Sequence, residues 1–233
     1  FHDAAVSVID DGGNIAFAGH SERYSGIKHD KHLSYGIIQD AKDYINDEVE
    51  LHYYERPWLK FLRQIRSGES PKFSGLFLRD SLINGLSDTR IHTHNHHLSH
   101  AAAGFQTSPF DDATVVVIDA IGEWDTISIW GAEYVDGKAK YTKLWGQKYP
   151  HSIGLFYSAM TQKVGLKPNE AEYILMGMAA YGDPSKYYKK VEDYFSSIRY
   201  QKYNFHKGIT DWDLPINEQD KFDIAAAVQK VYQ

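Results

Sequence analysis

The 233-residue sequence contains no cysteine. Disulfides, thiolate metal sites and cysteine nucleophiles are thereby excluded, so any transition metal must be held by imidazole and carboxylate. A run of the roughly 20 apolar residues needed to cross a bilayer is also missing, as is the charged-then-apolar order of a signal peptide. A soluble, cytoplasmic protein is expected. Positive charge is scarce, with 25 Lys and Arg against 31 Asp and Glu for a formal charge of -6. The chain as a whole therefore has no electrostatic pull toward phosphate backbones, although a basic strip runs from Lys186 to Lys190. An initiator methionine is lacking too. The apolar segment AAVSVID begins almost at once after Phe1, and the true N-terminus is expected upstream.

What is present suits a folded domain: 42% hydrophobic and 14% aromatic residues in a length that can bury a substantial core. Residues 4 to 10 and 14 to 19 are short apolar runs separated by DGG, which predicts a β-hairpin. The stripe Ile37, Ile38, Ala41, Tyr44 and Ile45 predicts a helix from Leu33 to about Asn46. Pro57 opens a second helix carrying Trp58, Leu59, Leu62 and Ile65, with a loop exit at Gly68 to Lys72. ATVVVIDA, residues 113 to 120, is a continuous β-branched run of the kind found in buried strands. Two further strands follow, parted by DGK at 136 to 138. Helical patterns then cover 153 to 165, 170 to 180, 184 to 196 and 219 to 232, with Gly165 and Gly182 expected as stops. The class is mixed α/β.

Four of the twelve histidines fall within seven positions of HNHHLSHAAAGF, residues 94 to 105. If this segment is helical, His96 and His100 lie on one face and His97 points elsewhere. Two imidazoles so spaced can share a metal if another element supplies a carboxylate, and Asp119, at the end of VVVID, is placed to do so. The same spacing also serves histidines that pack or cap a helix, and the pattern alone does not choose.

Two stretches, AAVSVIDDGGNIAFAG and VVVIDAIGEWDTISIWG, each join strands through an acidic glycine turn. Paired turns of this kind clasp nucleotide phosphates and metal in actin-like ATPase folds, and Gly122 permits close backbone approach. Two unrelated hairpins with acidic surface turns would read alike.

Taken in order, FHDAAVSVIDDG, ERYSGIKHD, NHHLSHAAAGFQTSPFDDATVVVID with GEWDT two residues later, and PHSIGLFYSAMTQKVGLKPNEAEYILMGMAAYG resemble the NodU/CmcH-type O-carbamoyltransferases over residues 1 to about 184. The resemblance implies an α/β actin-like (ASKHA, RNase H-like) fold, of which this chain holds the N-terminal portion, and a YrdC-like domain that is absent from it. It implies carbamoyl-adenylate, made from carbamoyl phosphate and ATP, and transfer of the carbamoyl group to the hydroxyl of a small molecule beside a bound divalent metal, iron. By the same resemblance His96, His100 and Asp119 are metal ligands, and His2 is the catalytic histidine of the transfer. Lys28 contacts the adenylate, and Asp119, Ala120, Ile121, Gly122 and Glu123 form its phosphate-side turn. A second chain supplying the missing parts is an implied partner. The sequence departs from the family pattern at Ala120, where glycine is usual, and at Ile174, where lysine is usual. The rival expectations are a non-catalytic paralogue or partner subunit, and another actin-like enzyme such as a tRNA threonylcarbamoyl-transferase.

Overall fold

A computed structural model describes residues 3–45, 49–70, 90–199 and 217–233. The chain divides into two compact units, Phe1–His94 and Asn95–Gln233. No helix among the described residues is long and apolar enough to cross a membrane.

The first unit opens on the predicted hairpin, β1 (Ala5–Ile9) antiparallel to β2 (Ile15–His20). Its turn is closed from within. The Asp10 carboxylate accepts the Asn14 backbone N–H at 2.8 Å and the Asn14 side-chain amide at 3.1 Å, and Gly13 takes the left-handed φ of +82°. These bonds hold the Asp10 carboxyl below its usual range. After a short helix α1 (Ser21–Ser25), α2 (Tyr35–Lys42) starts where the Ser34 hydroxyl accepts the Ile37 N–H. Ile37 and Ala41 are its buried residues, and Ile37 lies against β2 at Gly19, where a Cβ would stand 2.9 Å from the Ile37 side chain. The helix is shorter than its apolar stripe predicts, because the Ser34 cap fixes its start and Asp43 closes its end.

Strands β3 (Glu50–Tyr53) and β4 (Arg90–Thr93) pair in parallel with His52 opposite His92. The His52 ring stacks on His92 at 5.0 Å and on His94 at 5.2 Å. Between these strands in sequence lies α3 (Pro57–Arg66), with proline in its first turn as expected. Its apolar stripe is not its buried face. Trp58, Leu62 and Ile65 are exposed, whereas Arg63 is buried and paired with Glu69 at 3.1 Å.

The second unit sets a three-stranded antiparallel sheet, β5 (Asp112–Gly122), β6 (Asp125–Val135) and β7 (Lys138–Lys148), beside helices. Helix α4 (His96–Gln106) packs Ala101 against Val117 and Trp130, and Phe105 stacks on Tyr134 at 5.1 Å. Here the expectation of a fully buried strand is corrected. Among the described residues β5 pairs only with β6, and its side chains alternate, with Val117 inside and Val116 and Ile118 more than half exposed. β-branched composition suits either setting, so the run of valines did not distinguish them.

Four helices, α5 (Ile153–Lys163), α6 (Glu172–Met178), α7 (Tyr188–Arg199) and α8 (Glu218–Tyr232), enclose the larger core of Phe156, Met160, Leu175, Val191, Ile224 and Val228. Each such side chain contributes roughly 1.5–3 kcal/mol by leaving water. Gly165 ends α5 at φ +86° as expected. Gly182 also ends its helical segment as expected, capping the 3-10 turn Ala179–Tyr181 that continues α6, and it has a further role. Its backbone is extended, and a Cβ there would fall 1.9 Å from the Phe222 carbonyl oxygen, so glycine is required for the approach of α8.

That approach is fastened by charge. Asn217 and Asp220 form a reciprocal capping box at the start of α8. The Lys186 ammonium donates to Asp220 and Asp223 at 2.9 Å each, and the Tyr187 hydroxyl donates to Asp220 at 2.8 Å. The Lys186 bond, then the Asn217 N–H, hold the Asp220 carboxyl down at about 2. A depressed carboxyl stabilises the fold above its ordinary value of 3.8, and that contribution is lost as pH falls toward 2. Asp220→Asn should therefore lower the melting temperature at pH 7 and make little difference near pH 2. Thermal melts of both proteins across that range check this.

Candidate metal centre

Asn95 sits at the N-cap of α4, where its side-chain Oδ1 accepts the Leu98 N–H at 2.9 Å. Its amide nitrogen donates to Glu123 at 3.3 Å, tying the start of the helix to the β5–β6 turn. The first two residues of α4 are thereby laid over that turn. A Cβ on Gly122 would stand 2.2 Å from the His96 ring and 2.8 Å from the His97 ring, so only glycine allows the imidazoles this close.

On the strand side, β5 pairs regularly with β6 through Ile118 opposite Ile127, loses register, and regains it at Gly122 opposite Asp125. Asp119, Ala120 and Ile121 bulge out of the ladder. Bulges re-aim side chains, and here the result is an Asp119 carboxylate 3.0 Å from His96 Nε2. The turn beyond it is tight, with Glu123 buried at a φ of +56°. The segment predicted as one phosphate-side turn is thus a bulge followed by a two-residue turn.

The bulge is braced from below. Ser152, fully buried at the N-cap of α5, donates its hydroxyl to the carbonyls of Ala120 at 2.7 Å and Asp119 at 3.2 Å while accepting the Leu155 N–H. Gly154 in the first turn of α5 meets Ala120 backbone to backbone, since a Cβ there would lie 2.7 Å from the Ala120 Cα. Ser152 and Gly154 are site-building residues that sequence reasoning did not single out. Their signal is a serine three residues before the buried Leu155, the spacing of an N-cap.

His96 Nε2 lies 3.1 Å from His100 Nε2, and the ligand atoms of His96, His100 and Asp119 all fall within 4.8 Å of one another. Three lone-pair-bearing atoms converging in this way repel unless a proton or a cation lies between them. Burial acts to raise the Asp119 carboxyl, but the hydrogen bond and charge of His96, with the Ala120 N–H at 2.7 Å, outweigh it and keep the group below the usual carboxylate range. Partial burial, then the neighbouring His96, push His100 below the ordinary imidazole value. At neutral pH the cluster offers a carboxylate and an unprotonated imidazole, the forms in which these groups bind metals. Two nitrogens and one oxygen suit a first-row divalent ion.

His97 does point elsewhere. It is fully buried, its Nδ1 lies 2.7 Å from the Ser128 hydroxyl, and burial lowers its pKa. Trp130 donates to the same hydroxyl at 2.7 Å, which leaves the serine proton for His97 Nδ1. His97 thus locks α4 to β6 behind His96 and His100. Lys28 is exposed in the first unit, between α1 and α2. His2 lies outside the described residues. Ile174 is exposed on α6.

Two glycines of this region should respond oppositely to alanine. Gly122→Ala would force His96 and His97 aside at a cost of about 1–3 kcal/mol of stability. In contrast, a Cβ on Gly104, on the exposed face of α4, would meet only Val115 at 4.0 Å. Gly104→Ala should stabilise by up to about 1 kcal/mol, the usual helix-propensity gain. Urea titrations of both variants measure the two signs.

Residues 83–230 match a family model described as the carbamoyltransferase N-terminus. The chain is 32% identical over 212 residues to an uncharacterized protein of Synechocystis sp., covering 79% of this chain and 34% of that protein. It is 26% identical over 257 residues to the nodulation protein NolNO of Sinorhizobium fredii, covering all of this chain and 37% of that protein. The nodulation protein NolO of Bradyrhizobium diazoefficiens is 30% identical over 112 residues, 48% of this chain and 20% of the relative. The chain thus spans about a third of the length of the first two relatives. A family match over more than half of the chain, on a segment that includes the whole histidine and aspartate cluster, establishes that this protein belongs to the carbamoyltransferase N-terminus family.

Proposed function

We propose that the chain carries the metal-binding part of an O-carbamoyltransferase, which passes a carbamoyl group from carbamoyl-adenylate to the hydroxyl of a small molecule. The observation that carries this reading is the convergence of His96, His100 and Asp119 within a carbamoyltransferase-family segment. His96, His100 and Asp119 would hold a divalent ion, proposed to be iron, which would supply Lewis-acid polarisation of the carbamoyl oxygen or the adenylate phosphate. The antiparallel hairpins β1–β2 and β5–β6 support an actin-like reading of the fold. A cysteine-free composition suits the cytoplasm, the compartment proposed.

The roles of the chain's own residues follow from their chemistry. His96 and His100 present nitrogen lone pairs, and Asp119 adds the negative charge that keeps a divalent ion in place. Ala120 through Glu123 are proposed to border the phosphate, and the Lys28 ammonium to offset its charge. His2 is proposed as general base. As the acceptor oxygen bonds to the carbamoyl carbon, the carbon–phosphate-oxygen bond breaks, AMP departs with the electron pair, and the hydroxyl proton passes to the imidazole. The acid of the first hairpin is occupied differently from that of the second, since Asp10 closes its own turn while Asp119 faces His96.

Two measurements test the reading. Iron content of the purified protein should fall below that of the wild type in His96→Ala and in His100→Ala, and unchanged content in both variants would remove the metal assignment. In the complete enzyme, His2→Ala should leave pyrophosphate release intact and slow carbamoyl transfer at least ~10²-fold, about 2.7 kcal/mol. A normal transfer rate would take His2 out of the mechanism.

A further inference from the structure

Outside the family-matched segment, the first unit gathers a second set of metal-binding side chains. Asp3 precedes β1, His20 ends β2, and Glu22 lies in the first turn of α1. Backbone bonds force these points together: Ser21 N–H donates to the Ala4 carbonyl at 2.8 Å, and Ala4 N–H donates to the Asp30 carbonyl at 2.7 Å. One ligand atom from each of Asp3, His20 and Glu22 falls within 4.8 Å of the others. His20 Nε2 is 3.8 Å from Asp3 Oδ1, and His29 Nδ1 approaches the same oxygen at 3.1 Å. Glu22 accepts the His29 backbone N–H at 3.2 Å, which holds the loop carrying His29 against α1.

Local conformation serves this convergence. His20 stands at the N-cap of α1 but makes no capping bond, its ring being turned to Asp3 instead. Asp3 at φ +69° and His29 at φ +58° occupy the left-handed region, which both residue types tolerate better than most. The side chains are neither deeply buried nor fully exposed, with Asp3 at 32% and His20 at 36%. An ion could reach them and keep water ligands. A concave surface lined by His20, Arg23 and Tyr24 adjoins them.

We propose that Asp3, His20 and Glu22, with His29 beside Asp3 as a fourth ligand, form a second divalent-metal site independent of the His96 centre. Two carboxylates match the charge of one divalent ion. Imidazole nitrogen beside carboxylate oxygen favours a first-row transition ion such as Mn²⁺ or Zn²⁺ over Ca²⁺ or Mg²⁺. The ion would cross-link the residue preceding β1 to the β2–α1 junction.

Mn²⁺ titration followed by electron paramagnetic resonance tests this, with protein-bound ion counted in the wild type and in the His96→Ala/His100→Ala double variant. The double variant should still bind one Mn²⁺, and Mn²⁺ should broaden the His20 and His29 imidazole resonances. Adding His20→Ala or Glu22→Gln to that variant should abolish binding. Glu22→Gln is nearly isosteric, so it decides the matter if His20→Ala loosens the hairpin. Absence of bound Mn²⁺ in the double variant, or binding unaffected by Glu22→Gln, would overturn the proposal. One Mn²⁺ retained in the double variant supports this site whatever the His96 centre binds, so the two readings fail separately.

Discussion

The contact on which the candidate centre depends is the seating of two imidazole rings on a glycine. With any side chain at position 122, α4 could not lie against the β5–β6 turn at its observed depth, and His96 would not reach Asp119. The other devices of the second unit serve that contact. Asn95 fixes the helix start to Glu123, His97 bonds to Ser128 behind it, and Ser152 with Gly154 supports the bulge from the opposite side. Each is a local satisfaction of a polar group or a close backbone approach. Together they leave His96, His100 and Asp119 few alternatives to facing one another, which is the pre-organisation a metal site needs.

Electrostatics reinforces the geometry. The cluster sets one carboxylate held in its anionic form against an imidazole held in its neutral form. Burial alone would drive the two groups toward a neutral acid and a neutral base. Mutual attraction within the cluster reverses the outcome for Asp119 but not for His100. His100 thus presents a lone pair from the helix, while the strand supplies charge. In a chain without cysteine, imidazole from the helix and carboxylate from the strand are donors of the kind a transition-metal site requires.

How far the sequence foretold this can be judged from particular residues. The i, i+4 spacing of His96 and His100 placed both on one helical face, because helical periodicity is a local property. The partner Asp119 was legible from its position at the end of VVVID. What was not legible was the bulge that aims it, since register is decided by pairing with a strand several residues on. Gly122 was read as room for a phosphate. The structure shows imidazole rings against it, a contact between residues 25 or more positions apart that no local pattern reveals. The strands Glu50–Tyr53 and Arg90–Thr93 were missed for a similar reason: each is four residues long, rich in histidine or charge, and defined by a distant partner. Valines 115 to 117 gave the strand and not its exposure, because β-branched residues suit both central and edge positions.

X-ray absorption at the iron edge of the purified, iron-loaded protein tests the central claim most directly. The account predicts a first shell of nitrogen and oxygen, with the multiple-scattering pattern of two imidazoles that drops to one in His100→Ala. A spectrum without imidazole scattering, or one unaltered by that substitution, would contradict it.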